Sequence, residues 1–200
     1  RVFERRAWQQ EYTFWGRFGK ALGLSKKITD EELAEWQEML YDSCTLCGRC
    51  AQICPVGNDI PYMIRKAREG MVASGHAPDG LKNATINSIE HGGPMKIPLE
   101  TFKKQCEGAE RETGLKIPFD VEGADYMLMM SSSEIMQFHE FIGACAQIFD
   151  KAGVSWTYSS EAFEATNAAM QMGSSDMAGQ LVQRIVDAAE KLKVKYVISP

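Results

Sequence analysis

Four of the six cysteines fall in the run CTLCGRCAQICP, residues 44–55, at Cys44, Cys47, Cys50 and Cys54. Few chemistries need thiols at that density. The C-x2-C-x2-C-x3-C-P spacing is a bacterial solution for gripping an iron–sulfur cube. Two-residue gaps wrap a turn of chain around such an object, so Cys44, Cys47 and Cys50 can reach three irons while intervening amides point at the sulfides. Pro55 has no N–H and fixes the chain as it leaves the site. Structural zinc prefers two C-x2-C pairs separated by a longer loop, so that ligands approach from opposite sides. A redox dithiol needs only C-x-x-C and leaves two cysteines over. The expected cofactor is therefore a 4Fe-4S cluster held by Cys44, Cys47, Cys50 and Cys54, with no catalytic side chain assigned.

The fourth corner has two solutions. In two-cluster proteins the cysteine before the proline ligates the other cluster, and this chain carries one motif. Either Cys54 closes a single cluster locally, or it serves a second cluster whose motif lies outside these residues. In the latter case Cys106 is the alternative fourth ligand, although Glu107 rather than proline follows it. Otherwise Cys106 reads as a semi-exposed helix thiol. Cys145, inside FIGACAQIF, reads as core. His76, His91 and His139 have no ligand-spaced companion and read as surface or core residues.

The elements that must position the loop follow from pattern. Residues 3–22 suit a helix with Trp8, Tyr12 and Trp15 on one face. Thr29 and Glu32 form a capping box that starts a second helix through about residue 41. Asn58-Asp59 before Pro61 marks the next helix start, and a shorter helix covers 79–91. HGGPMKIP reads as a loop, LETFKKQCEGAERETG as a short helix and LKIPFDVEG as a connector. From about residue 121 the pattern changes. ADYMLMMSS, VSWTYSS and VKYVISP read as strands, the first an apolar run suited to a buried parallel strand with Met127, Met129 and Met130 in the core. SEIMQFHEFIGACAQIFDKAG, EAFEATNAAMQMG and SSDMAGQLVQRIVDAAEKLK read as helices between them. Alternating strands and helices predict an α/β unit with a short parallel sheet. Glu161, Glu164 and Asn167 read as a solvated helix start. The expected divisions are 1–43, basic and aromatic helices; 44–95, the helical iron–sulfur module; 96–120, a linker; and 121–200, the α/β domain.

Composition narrows the classes. A net charge of −5 gives no support for a nucleic-acid partner, and 44% hydrophobic content can supply a core. No apolar run of about 18 residues is present to span a bilayer, and residues 1–20 show no secretory h-region. Clustered cysteines in a chain of this size read as metal ligands in a reducing compartment rather than as disulfides. The expected location is cytoplasmic, or peripheral on the cytoplasmic face of a membrane. The opening is locally basic (Arg1, Arg5, Arg6, Arg17 and Lys20 against Glu4 and Glu11), and it is rich in aromatics. Such a segment suits a partner subunit better than lipid.

The runs CTLCGRCAQICPVGNDI and IRKAREGMVASGHAPDGLKNATINSIEHGGP resemble the helical ferredoxin-like module of the heterodisulfide reductase family of iron–sulfur proteins. The resemblance covers about residues 40–200. It implies an α+β multidomain chain: an all-helical ferredoxin-like module, then an α/β domain whose family repeats carry a Cys-Cys-Gly motif and bind a catalytic iron–sulfur centre. Here the family's cysteine after the first strand falls on Ser131-Ser132-Ser133, and its Cys-Cys-Gly falls near Ser159-Ser160-Glu161. A hydroxyl is a poor iron ligand beside a thiolate, so this repeat is degenerate, and a second repeat would lie past Pro200. Electron transfer carries over; thiol–disulfide catalysis does not.

Three functions are therefore distinguished. The favoured one is an iron–sulfur electron-transfer subunit of a larger redox complex, with other redox subunits, a membrane-bound one among them, as partners. The second is a catalytic disulfide reductase subunit whose active cysteines lie beyond residue 200. The third is a scaffold in which the cluster only staples helices.

Overall fold

The computed structural model describes residues 13–23, 29–138 and 140–199. The chain divides into two compact units, Arg1–Glu38 and Met39–Pro200.

In the first unit, α1 (Phe14–Ala21) carries Phe14, Trp15 and Phe18, all exposed and touching one another ring to ring. Trp8 and Tyr12, the other members of the expected aromatic face, lie outside the described residues. Helix α2 (Asp30–Gln37) starts at the expected capping box: the Thr29 hydroxyl accepts from the Glu32 amide at 3.2 Å, and the Glu32 carboxylate accepts from the Thr29 amide at 3.3 Å. A π-helical turn over Glu38–Asp42 carries the chain onward.

The second unit contains α3 (Arg49–Gln52), α4 (Ile60–Ala73), α5 (Asp79–His91) and α6 (Leu99–Thr113), then β1 (Tyr126–Leu128). It continues with α7 (Ser132–Gln137), α8 (Glu140–Ala152), β2 (Trp156–Thr157), α9 (Ala168–Met172), α10 (Ser175–Leu192) and β3 (Tyr196–Ile198). The three strands form one parallel sheet in the order β2-β1-β3, with Tyr126 opposite both Trp156 and Tyr196. The chain is mostly helical with a small parallel sheet, the α+β arrangement expected.

Alternation along β1 divides the core. Leu128 and Met130 join one cluster with Phe102, Cys106 and Ala109 of α6 and Ile142 and Ala146 of α8. Met127 and Met129 point the other way, onto Ala188 and Leu192 of α10. Both faces of the strand are covered, which is why its sequence is an unbroken apolar run. Phe102 anchors the larger cluster, edge-on to Tyr158 at 4.9 Å and stacked on Phe163 at 4.9 Å.

Four expectations need correction. Residues 96–120 are not a mere linker, because α6 runs for 15 residues through their middle and supplies the centre of the core. The helical and α/β segments belong to one unit, with α9 packed on α4 and α5. The single helix expected after β1 is two, broken where Phe138 leaves helical geometry (φ −128, ψ 48). Most of EAFEATNAAMQMG is not helical. The Ser159 hydroxyl accepts from the amides of Glu161 and Ala162 and competes with helix start. The chain then runs beside Met130, exchanging bonds from Met130 N to Phe163 O at 2.9 Å and from Ala165 N to Met130 O at 2.8 Å.

Candidate iron–sulfur site

The cysteine loop is built between the π-helical turn and α4. Leu46 (φ 58) and Gly48 (φ 78) both lie in the left-handed region. Glycine takes that geometry freely, whereas Leu46 does so at a cost of roughly 1–2 kcal/mol. Strain of this kind is held where a loop's shape serves a site. The two left-handed residues flank Cys47, and the single turn α3 carries Cys50. Cys54 follows, its carbonyl accepting from the Gly57 amide at 3.1 Å. Asp59 then caps α4 through the Tyr62 amide at 3.0 Å, as the Asn58-Asp59-x-Pro61 signature predicts.

Cys47 is exposed and Cys44, Cys50 and Cys54 are half-buried, all as free thiols. The Asn58 amide donates to Cys54 Sγ at 3.4 Å. That amide, with those of Val56 and Gly57, holds the Cys54 thiol below its ordinary pKa. The Arg49 amide, then the Thr45 side chain, does the same for Cys47. Backbone N–H groups aimed at sulfur favour thiolate over thiol, and a cube's ligands must be thiolates. Among the described residues no three Cys, His, Asp or Glu side chains converge as the ligands of a single metal ion would. A cube takes one thiolate at each of several separate irons, so its sulfurs stand wider apart than the four ligands of a tetrahedral zinc. An all-thiol set on a tightly kinked loop, with amides directed at two of its sulfurs, fits the cube.

Arg68 is the residue that sequence reasoning missed. It sits in α4 at 1% exposure, the largest fully buried side chain among the described residues. Its guanidinium donates to the carbonyl of Cys44 at 2.5 Å and to that of Leu40 at 2.6 and 2.9 Å, fixing the backbone that leads into the motif. Within IRKAREG it looks like one basic residue among three on an amphipathic helix, and no local signal separates it from Arg65 or Lys66.

The remaining candidates are placed as follows. Cys106 is buried at 3% rather than semi-exposed, and burial pushes its thiol up to about 12. Cys145 is half-buried against the same core, and burial raises its thiol too. Ser131 caps α7 in a box with Glu134, and Ser160 donates its amide to Asp120. Ser132 donates to Glu164, which is 3% exposed and not the solvated residue expected. The cleft beyond the carboxyl ends of β1 and β3 is thus bordered by the hydroxyls of Ser131, Ser133, Thr166 and Ser199, not by thiols. His76 and His91 are exposed, and His139 lies outside the described residues.

Residues 40–58, which contain all four clustered cysteines, match a family model described as a 4Fe-4S binding domain. The chain is also 39% identical over 51 residues to the acetyl-CoA decarbonylase/synthase complex subunit alpha 1 of Methanosarcina thermophila. That alignment covers 26% of this chain and 6% of the relative's length. No solved structure matches the chain. The chain therefore carries a 4Fe-4S binding segment over residues 40–58. No helix among the described residues is long and apolar enough to cross a membrane.

Proposed function

We propose that Cys44, Cys47, Cys50 and Cys54 hold one 4Fe-4S cluster and that this chain relays single electrons between partner subunits of a larger redox complex. The observation that carries this reading is the position of the four-cysteine run inside the matched segment, on a loop that opens to the surface at Cys47. A 4Fe-4S cluster supplies one-electron exchange at a potential set by charge, hydrogen bonds to sulfur and solvent access. The chain's own residues contribute in three ways. The kinked loop orients the thiolates, the amides of Arg49, Asn58, Val56 and Gly57 stabilise negative charge on Cys47 and Cys54, and Arg68 holds the entry to the loop.

Partner docking has a surface to use. Ile53 and Val56, on either side of Cys54, are 76% and 75% exposed, and Tyr62 and Met63 follow in the first turn of α4 at 53% each. Apolar residues left in water beside an electron port suit a transient partner that excludes water from the path. The exposed aromatics of α1 suit a partner subunit in the same way. The named complex of the Methanosarcina relative supports a setting among other subunits, and the resemblance to the heterodisulfide reductase family supports a respiratory or disulfide-linked one. The serines at positions 131–133 and 159–160 favour relay over disulfide reduction in this stretch of chain.

The test is a redox titration of the purified protein followed by EPR. A relay gives a cluster signal on reduction that disappears on reoxidation, fitting a one-electron curve between the potentials of its partners. A cluster silent across the whole physiological range would make it a staple for the helices and overturn the relay.

A further inference from the structure

Arg68 presents a charge problem that the fold leaves open. A guanidinium has five N–H donors, and here all five are used. Nε donates to Leu40 O, Nη2 to Leu40 O and Cys44 O, and Nη1 to Gln171 O at 2.7 Å and Gln171 Oε1 at 2.8 Å. The Tyr41 ring covers it at 5.0 Å, and the Tyr41 hydroxyl donates to Met172 O at 2.9 Å. Every acceptor is neutral. None of the ion pairs among the described residues involves Arg68. Burying an ion is costly unless a counter-charge accompanies it. Carbonyls satisfy the hydrogen bonds of this one without balancing its charge, and guanidinium does not deprotonate in proteins. Gln171 in particular offers a neutral amide oxygen to Nη1 where the carboxylate of a glutamate would have brought a counter-charge.

We propose that Arg68 is the internal counter-charge of the cluster: a fixed cation at the root of the cysteine loop that stabilises the anionic thiolate-bound centre and favours its reduced form. Four thiolates leave a bound 4Fe-4S centre net negative, and reduction adds one more negative charge. A desolvated positive charge tied to the Cys44 backbone stabilises the more negative state more, which raises the reduction potential. The neutral Gln171 keeps that charge available instead of cancelling it from the other side.

The inference rests on the cluster assignment above, and the decisive variant is Gln171→Glu. It keeps the acceptor next to Nη1 but brings a carboxylate that neutralises Arg68. The expected result is at least a tenfold fall in the reduced-to-oxidised ratio at fixed potential, about 59 mV for a one-electron couple. Iron content should be unchanged, and the melting temperature should be no lower than that of the parent, because a buried charge has gained its partner. The exposed Gln180→Glu, which adds the same charge in α10, is expected to move the ratio less than twofold. Arg68→Lys keeps the charge but loses the fork, so it is expected to melt lower while changing the ratio by less than threefold. An unchanged ratio in iron-loaded Gln171→Glu, an equal shift in Gln180→Glu, or loss of iron or stability in Gln171→Glu overturns the role of Arg68 alone. An iron-free parent protein overturns the cluster assignment itself.

Discussion

A cysteine ligates iron only as a thiolate, and the cysteines of this chain are separated on that scale by their surroundings. Amides lower the pKa of Cys47 and Cys54, while the core pushes Cys106 up to about 12. Iron analysis of single variants separates the two candidates for the fourth corner: Cys54→Ala is expected to lose most of its iron, and Cys106→Ala to retain all of it. Alkylation adds a second check. After chelation, iodoacetamide at pH 8 should label Cys44, Cys47, Cys50 and Cys54 while Cys106 reacts only on unfolding. The motif could be read from sequence because its spacing is a local rule. Arg68 could not, because its role exists only once Leu40, Cys44 and Gln171 meet around it. Glu164 was misread for the same reason. Burial, against the Ser132 hydrogen bond and the Arg184 charge, raises its pKa above that of the unfolded chain. The folded state therefore holds this proton to higher pH, and the associated stability is present at low pH and declines as pH rises through the folded pKa. Glu164→Gln removes that titration, so thermal melts at successive pH values upward from the ordinary carboxylate range should show the variant gaining on the parent as pH rises.

Among the elements, α9 is short but decides how the cysteine loop is held, because it brings Gln171 and Met172 against Arg68 and Tyr41. It ends on Gly173 at φ 101, where an added Cβ would meet the Arg68 backbone carbon and Cβ at 2.6 Å. Gly173→Ala is therefore expected to destabilise by about 3 kcal/mol, combining left-handed strain with overpacking. Denaturant unfolding measures this, and the same variant should bind iron less tightly because the Arg68 contacts shift. Sequence pattern located elements whose signals are local: the Thr29–Glu32 box, the Asp59 cap before Pro61, the helix over 79–91 and the apolar run of β1. It failed where tertiary contacts overrode helical pattern. The Ser159 hydroxyl bends the chain over Ser160–Ala162 and Met130 then pairs with Phe163 and Ala165, and the break at Phe138 divides a segment whose periodicity is continuous. It also undervalued α6, whose polar face hid how completely Phe102, Cys106 and Ala109 are buried.

Across the whole molecule, the 4Fe-4S binding segment and the parallel sheet share one compact unit, so the α/β part is well placed to brace the loop through α9 and Arg68. Electron flow then depends on what docks near Cys47 and Cys54. Ile53→Glu puts a charge on the exposed apolar rim without touching a ligand. It is expected to slow electron transfer to a native partner at least tenfold in stopped-flow measurements, with cluster potential and iron content unchanged. The division into two units was less legible in sequence, because the boundary at Glu38 falls inside a continuous run of helical turns and no linker composition marks it. The measurement that bears most directly on the account is metal and acid-labile sulfide analysis of anaerobically purified protein. The account predicts four irons and four sulfides per chain with no zinc; one zinc per chain and no sulfide would contradict it.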